Sequence, residues 1–363
     1  MGRTPARSST VLAAFLLLAC GAAPREAPPA ALEPPARSAS PRTDTAAYEV
    51  HEWGLLRAEA GDVLNAGVVA PPNYHLMDVG KPVLYFHAAA AMRLTSVRVR
   101  TPLGSIVESW PSTGIGNGAE VTWTGVALGP NSDCAVSKLP TTAEPPCSLL
   151  APGTQCETAG LAAVRTEDAS CVTSGATTER FLFYRAQAKF TPPLRFTRET
   201  GDVVEVENDG DLPIPGILIR VSGDGQRTRS TVAIPPAPHA KVRVGRAPST
   251  DADVDAPSDR RGRALGPAVG PGLEALRMTL GDLGMTSDET DAFMGAWTET
   301  LFSGTGAADD EADARLSQSD SFIYFLPVQA IDAIATLELD PPPRVVKRAF
   351  AIWSSVRASG SGR

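Results

Sequence analysis

His51 and Glu52 stand side by side in Tyr48–Arg57 (YEVHEWGLLR), a strand-like segment. An imidazole and a carboxylate are the groups from which general acid/base catalysis or metal ligation is built. Neighbouring residues of a strand point to opposite faces, so this pair would not normally converge on one ion. The HExxH pattern, which sets two histidines on one helical face around zinc, fails because Leu55 stands at its fifth position. The other histidines are His75, His87 and His239. His51, His75 and His87 could meet across strands, although no spacing requires it. The structural role for His51 and Glu52 is a buried, hydrogen-bonded pair that fixes the first strand beside Trp53. They remain the candidate catalytic residues, and no metal and no cofactor is expected.

Other chemistries fit less well. Leu103-Gly104-Ser105-Ile106 lacks the GxSxG elbow of a serine nucleophile. Gly114-Ile115-Gly116-Asn117-Gly118 leads into a strand around Val121, whereas a dinucleotide loop must lead into a helix, so it reads as a hairpin loop. Asp251, Asp253, Asp255 and Asp259 alternate as calcium ligands do, but the run has neither the EF-hand glycine nor the closing Glu. It reads as a solvated linker.

Cysteine offers two further chemistries. Arg3 and Arg7 precede an unbroken apolar run, Val11–Leu18, that ends at Leu17-Leu18-Ala19-Cys20. This is the layout of a secretory signal peptide, and the run is shorter than the ~20 residues of a membrane span. Its close is similar to a bacterial lipobox, in which the cysteine thiol is acylated and the chain is cut before it; Leu18 stands where a small residue is usual. On that reading Cys20 is the lipidation site, residues 1–19 are removed and residues 20–47 form a Pro/Ala-rich tether. Gly21 after the cysteine fits outer-membrane sorting, so the expected address is the cell envelope, lipid-anchored, facing the periplasm or the cell surface. Cys134, Cys147, Cys156 and Cys171 lie in a Pro/Gly/Thr-rich stretch of this exported chain and read as two disulfides. Three pairings are possible; sequential pairing closes the shortest loops. Zinc ligation is disfavoured, since no CxxC and no histidine lies in the segment.

Charge narrows the partners. The formal net charge is −8, and loss of Arg3 and Arg7 with the signal peptide takes it to −10. An acidic chain without a basic stripe excludes nucleic acid as the expected partner. The membrane, through the lipid, and a protein or glycan remain.

The elements that must position these residues are mainly strands. Short β runs at hairpin spacing fill residues 48–247: Lys81–His87, Leu94–Arg100, Ile106–Trp110, Glu120–Val126, Arg180–Arg185, Asp202–Glu207, Ile214–Val221 and Ala240–Val244. A cysteine-bearing insertion, 128–178, interrupts them, and residues 248–270 form a linker. Leu273, Leu276, Leu280 and Leu283 fall at helical spacing. Thr286 opens a T-x-x-E capping box with Glu289 before a helix whose face carries Phe293, Ala296, Trp297 and Leu301. This helical hairpin, 271–303, is followed by a loop at 304–320, strands at 321–354 (including Ile334–Leu339) and a tail at 355–363. The expected fold is mainly β: an antiparallel β-sandwich-like domain with a disulfide-bearing insertion and a helical hairpin packed against it.

Several phrases occur in a familiar order: His51-Glu52-Trp53-Gly54, Lys81-Pro82-Val83-Leu84-Tyr85-Phe86, Glu108-Ser109-Trp110-Pro111, Phe181-Leu182-Phe183-Tyr184-Arg185, and Trp297 to Phe302 before Ile323-Tyr324-Phe325-Leu326-Pro327. From Tyr48 onward the chain resembles a family of exported bacterial proteins that open on an HEWG motif and have no assigned activity. It departs from that family at Leu55-Leu56, where Thr and an aromatic are usual, and at Arg348–Trp353. The resemblance implies export but no reaction. The functional expectation is a non-enzymatic binding or structural β module of the cell envelope. The alternative is an exported metal-dependent hydrolase using His51 and Glu52.

Overall fold

The computed structural model describes residues 46–58, 75–113, 118–150, 154–199, 202–223, 228–246, 270–302 and 320–356. Cys20, the signal peptide and the tether lie outside the described residues, as do most of the Gly114–Gly118 loop, the 251–259 acidic run, nearly all of the two linkers and the tail.

The chain enters on β1 (Ala46–Ala58) and returns on β2 (His75–Ala88). Next come β3 (Met92–Arg100), β4 (Gly104–Trp110) and β5 (Glu120–Gly129). The cysteine-bearing segment leads, through a 3-10 turn at Thr158–Val164, to β6 (Cys171–Ser174), β7 (Thr177–Glu179) and β8 (Leu182–Phe190). Five strands follow: β9 (Leu194–Arg198), β10 (Val203–Asn208), β11 (Leu218–Gly223), β12 (Thr228–Ala233) and β13 (Lys241–Gly245). Helices α1 (Gly270–Asp282) and α2 (Ser287–Phe302) precede β14 (Asp320–Phe325), α3 (Val328–Ile334), β15 (Thr336–Asp340) and β16 (Pro343–Val356).

The fold is mainly β with antiparallel sheets, as the alternation predicts. The largest sheet has the order β12-β11-β14-β16-β1-β2-β8-β4; a three-stranded sheet, β13-β10-β9, and a five-stranded sheet, β15-β3-β5-β6-β7, accompany it. Among the described residues the one parallel pair of the large sheet joins β1 to β16, from Ala46 opposite Pro343 to Ala58 opposite Ser354. The C-terminal strands therefore rejoin the N-terminal sheet, and the described elements all fall within one compact unit, Thr43–Arg363.

Both faces of the large sheet are covered. Tyr48, Val50, Leu56, Leu84 and Phe86 share one core with Val97 and Trp123 of the five-stranded sheet and Val204 and Val206 of the three-stranded one. Trp53, Leu55, Val83 and Tyr85 point the other way, into a core with Leu276 and Leu280 of α1, Phe293, Trp297 and Leu301 of α2, and Leu161 and Val164. Two-sided burial explains why Val83-Leu84-Tyr85-Phe86 and Phe322–Leu326 are continuous apolar runs rather than alternating ones.

The four cysteines form two disulfides, as expected, and the pairing that the sequence left open is nested, Cys134–Cys171 and Cys147–Cys156. The cysteine-bearing insertion contributes to the core: Leu161 and Val164 are buried, and its last residues continue the five-stranded sheet as β6 and β7. Ile334–Leu339 is not one strand. Ile334 ends α3, and β15 begins at Thr336, where the chain crosses from the large sheet to the edge of the five-stranded one.

Candidate functional site

Strand alternation sorts the first motif. Glu49, His51 and Trp53 lie on the face of β1 that the helices cover, and Glu52 lies on the other. In the β1–β2 register Glu49 is opposite His87 and His51 opposite Tyr85, so His87 is the diagonal neighbour of His51. The two imidazoles stand 4.4 Å apart between ring centroids. Trp53 meets Phe293 of α2 edge-on at 5.4 Å, which seats the helix over β1. Gly54 leaves room on the opposite face, where an added Cβ would come within 3.0 Å of the Phe350 ring.

Helix α2 brings the third member. Glu289 closes the predicted capping box: its Oε2 accepts the Thr286 N–H at 2.8 Å, and its own N–H donates to Thr286 Oγ1 at 3.2 Å. The same carboxylate reaches down to the sheet. Oε2 lies 2.9 Å and Oε1 3.0 Å from His51 Nδ1, and Oε1 lies 2.8 Å from His87 Nε2. An ionised carboxylate only accepts, so both imidazoles donate to it. The Glu289 side chain is fully buried, that of His51 is 4% exposed, and that of His87 is 21% exposed. Burial pushes the Glu289 carboxyl up, but the two imidazole hydrogen bonds and the charge of His51 outweigh it and hold it at about 2. Burial pulls His87 down, and the hydrogen bond and charge of Glu289 more than reverse this, so its pKa is raised.

A second carboxylate backs the first histidine. His51 Nε2 is buried without a hydrogen-bond partner, and Glu49 Oε2 lies 3.5 Å from it. The Glu49 carboxyl is lowered below its ordinary value, first by a hydrogen bond from Arg344 and, against a smaller opposing effect of burial, by Lys347.

Glu52 does not join this group. It accepts from Tyr184 Oη at 2.8 Å and pairs with buried Arg348, whose other arm reaches Asp332 at 2.6 Å. That chain ties β1 to β16 and α3, a structural duty. The structure thus brings His51 to His87 and Glu289 and leaves Glu52 on the far side. His239 is distant in the fold, exposed and bonded to Asp211. The side chain of His75 is outside the described residues.

Glu289 is the member of this cluster that the sequence reading placed only as a helix cap. A signal for it exists: Glu289 stands four residues before Phe293 and eight before Trp297, on the stripe that must face the core. An acid on an apolar stripe needs a buried partner.

The ligating atoms of His51, His87 and Glu289 all lie within 4.8 Å of one another. Two imidazoles and one carboxylate are a donor set for zinc or another divalent transition ion. Glu108, Cys147 and Cys156 also cluster, but both cysteines are spent in their disulfide. Glu108 instead accepts the Thr158 N–H at 2.7 Å and anchors the Thr158–Val164 turn. A comparison of the chain with protein-family models returns no match, and neither does a comparison with curated proteins.

Proposed function

We propose that this chain is an exported metalloprotein of the cell envelope that holds one divalent transition ion, zinc by its donor set, between His51 Nδ1, His87 Nε2 and a Glu289 oxygen. The observation that carries this reading is the meeting of those three donors from two strands and a helix inside a core. Around them stands the support such ligands need. Glu289 is fixed by the Thr286 N–H, and Glu49 is placed to take the proton that His51 would carry on Nε2 once Nδ1 binds a metal. Binding would displace the protons now shared with Glu289, so uptake releases protons. The lipobox-like Leu17–Cys20 close and the extracytoplasmic pattern of cysteine use support the envelope address.

The competing reading is a purely structural module, in which the His51–Glu289–His87 bonds latch α2 to the sheet. Direct bonding between these groups favours it. Metal analysis separates the two. Protein stripped with chelator and re-equilibrated with zinc takes up one ion per chain on the metal reading, and His51→Ala and His87→Ala each abolish that uptake. A folded wild type that takes up no stoichiometric ion leaves the latch as the function of this cluster.

A further inference from the structure

A second cluster of charge lies where the three-stranded sheet meets the large one. Arg198 ends β9, Arg220 lies in β11, Arg246 follows β13 and Asp320 opens β14. The side chains of Arg220 and Asp320 are fully buried, and Arg220 Nη2 donates to Asp320 Oδ2 at 2.8 Å. Arg198 Nη2 donates to the same oxygen. Arg220 Nη1 fixes the group to the three-stranded sheet through the Asp202 and Val244 carbonyls, each at 2.6 Å. Arg246 is held more loosely: its Nη2 lies 3.7 Å from Asp320 Oδ1, and its Nη1 lies 3.4 Å from Asp202 Oδ1.

Three cations therefore meet at one buried carboxylate, and the second carboxylate, Asp202, is 66% exposed. A buried cation without its counter-charge is costly. The hydrogen bonds are unbalanced as well. Among the described residues the Nε atoms of Arg198, Arg220 and Arg246 are buried without a partner, and so is Asp320 Oδ1. Three N–H donors lack acceptors, and one carboxylate oxygen lacks a donor. In a native protein such a deficit calls for a bound ion or water. Arg198 and Arg246 are 16% and 24% exposed, so the cluster reaches the surface and a small ion need not cross the core.

We propose that Arg198, Arg220 and Arg246 bind a phosphate group that carries a proton, as hydrogenphosphate or as a monoester. The guanidinium fork matches phosphate oxygens and keeps its charge when buried. The phosphate oxygens accept from the arginines, and the P–OH donates to Asp320 Oδ1. That last bond sets the specificity. Sulfate has no proton to give at neutral pH and would set its charge against the carboxylate. None of these residues belongs to the His51–His87–Glu289 cluster, and the inference does not rest on the metal reading. The competing occupant is an ordered water, which also both donates and accepts.

Calorimetric titration of the mature chain with inorganic phosphate separates the two. The protein is treated with chelator, so that no metal takes the anion, and ionic strength is held constant with chloride. One phosphate per chain is expected, and Arg198→Gln and Arg246→Gln should each weaken it ~10-fold or more. Sulfate should bind wild type at least ~10-fold less tightly than phosphate, and Asp320→Asn should remove that preference. If Asp320→Asn does not fold, the two arginine variants, at partly exposed positions, still decide. Glycerol 3-phosphate bound as tightly as phosphate identifies a monoester end group as the ligand, and its exclusion identifies the free ion; either outcome supports the site. No saturable phosphate binding leaves water as the occupant and overturns the inference. Binding undiminished in both arginine variants, or sulfate bound by wild type as tightly as phosphate, overturns it equally.

Discussion

Replacing Glu289 with Gln removes one charge and almost no volume. Gln still accepts the Thr286 N–H, since the capping box tolerates either residue. What is lost is the ionised centre that two imidazoles share. The Glu289 carboxyl sits at about 2 against an ordinary 4.5. Burial opposes that shift, and the His51 and His87 hydrogen bonds outweigh burial. At ~1.4 kcal/mol per unit, the shift corresponds to about 3 kcal/mol of folding stability in the metal-free protein. Because the folded pKa is depressed, this stability is fully present above 4.5 and is lost as pH falls through about 2. The raised pKa of His87 is the same contact seen from its partner, so the two are not added. Its sign is opposite: a raised group stabilises below its ordinary value, and the contribution fades as pH rises through the folded value. Urea denaturation in chelator at pH 6 should therefore place Glu289→Gln about 3 kcal/mol below wild type, with the gap narrowing on acidification below pH 4.5. A gap under ~0.5 kcal/mol at pH 6, or one that widens toward pH 3, would refute the reasoning.

Three further outcomes follow from named contacts. Arg348→Met leaves Glu52 buried without its cation and should cost ~3–5 kcal/mol, part of which Glu52→Gln in the same chain restores; chemical denaturation of the single and double variants reads this. Glu49→Gln should weaken zinc binding ~10–100-fold, measured by competition with a chromophoric chelator, while one ion per chain still binds at saturation. Cys20→Ser in the full chain should move the protein out of the membrane fraction and abolish incorporation of labelled fatty acid; a cleaved, unlipidated form that stays with membranes would count against the lipid as sole anchor.

The sheet faces were legible in the sequence because a strand has a period of two. That period separates His51 from Glu52, and it puts Val83, Tyr85 and His87 on one side. The capping box at Thr286–Glu289 was legible for the same kind of reason, a fixed local spacing. What joins His51 to Glu289 has no local signature. Their contact spans 238 positions and depends on which sheet face α2 covers. The parallel pairing of β1 with β16 is equally silent, since almost the whole described chain is the connection between them. Disulfide pairing followed the fold rather than loop length: β5 and β6 pair Gly129 with Cys171, which brings Cys134 back to Cys171 and leaves Cys147 and Cys156 to each other.

The most direct measurement is anomalous diffraction at the zinc edge from crystals of the zinc-equilibrated protein. The account predicts one strong peak within coordination distance, ~2.0–2.2 Å, of His51 Nδ1, His87 Nε2 and a Glu289 oxygen. A map with no peak there, with Glu289 still bonded directly to both imidazoles, would contradict it.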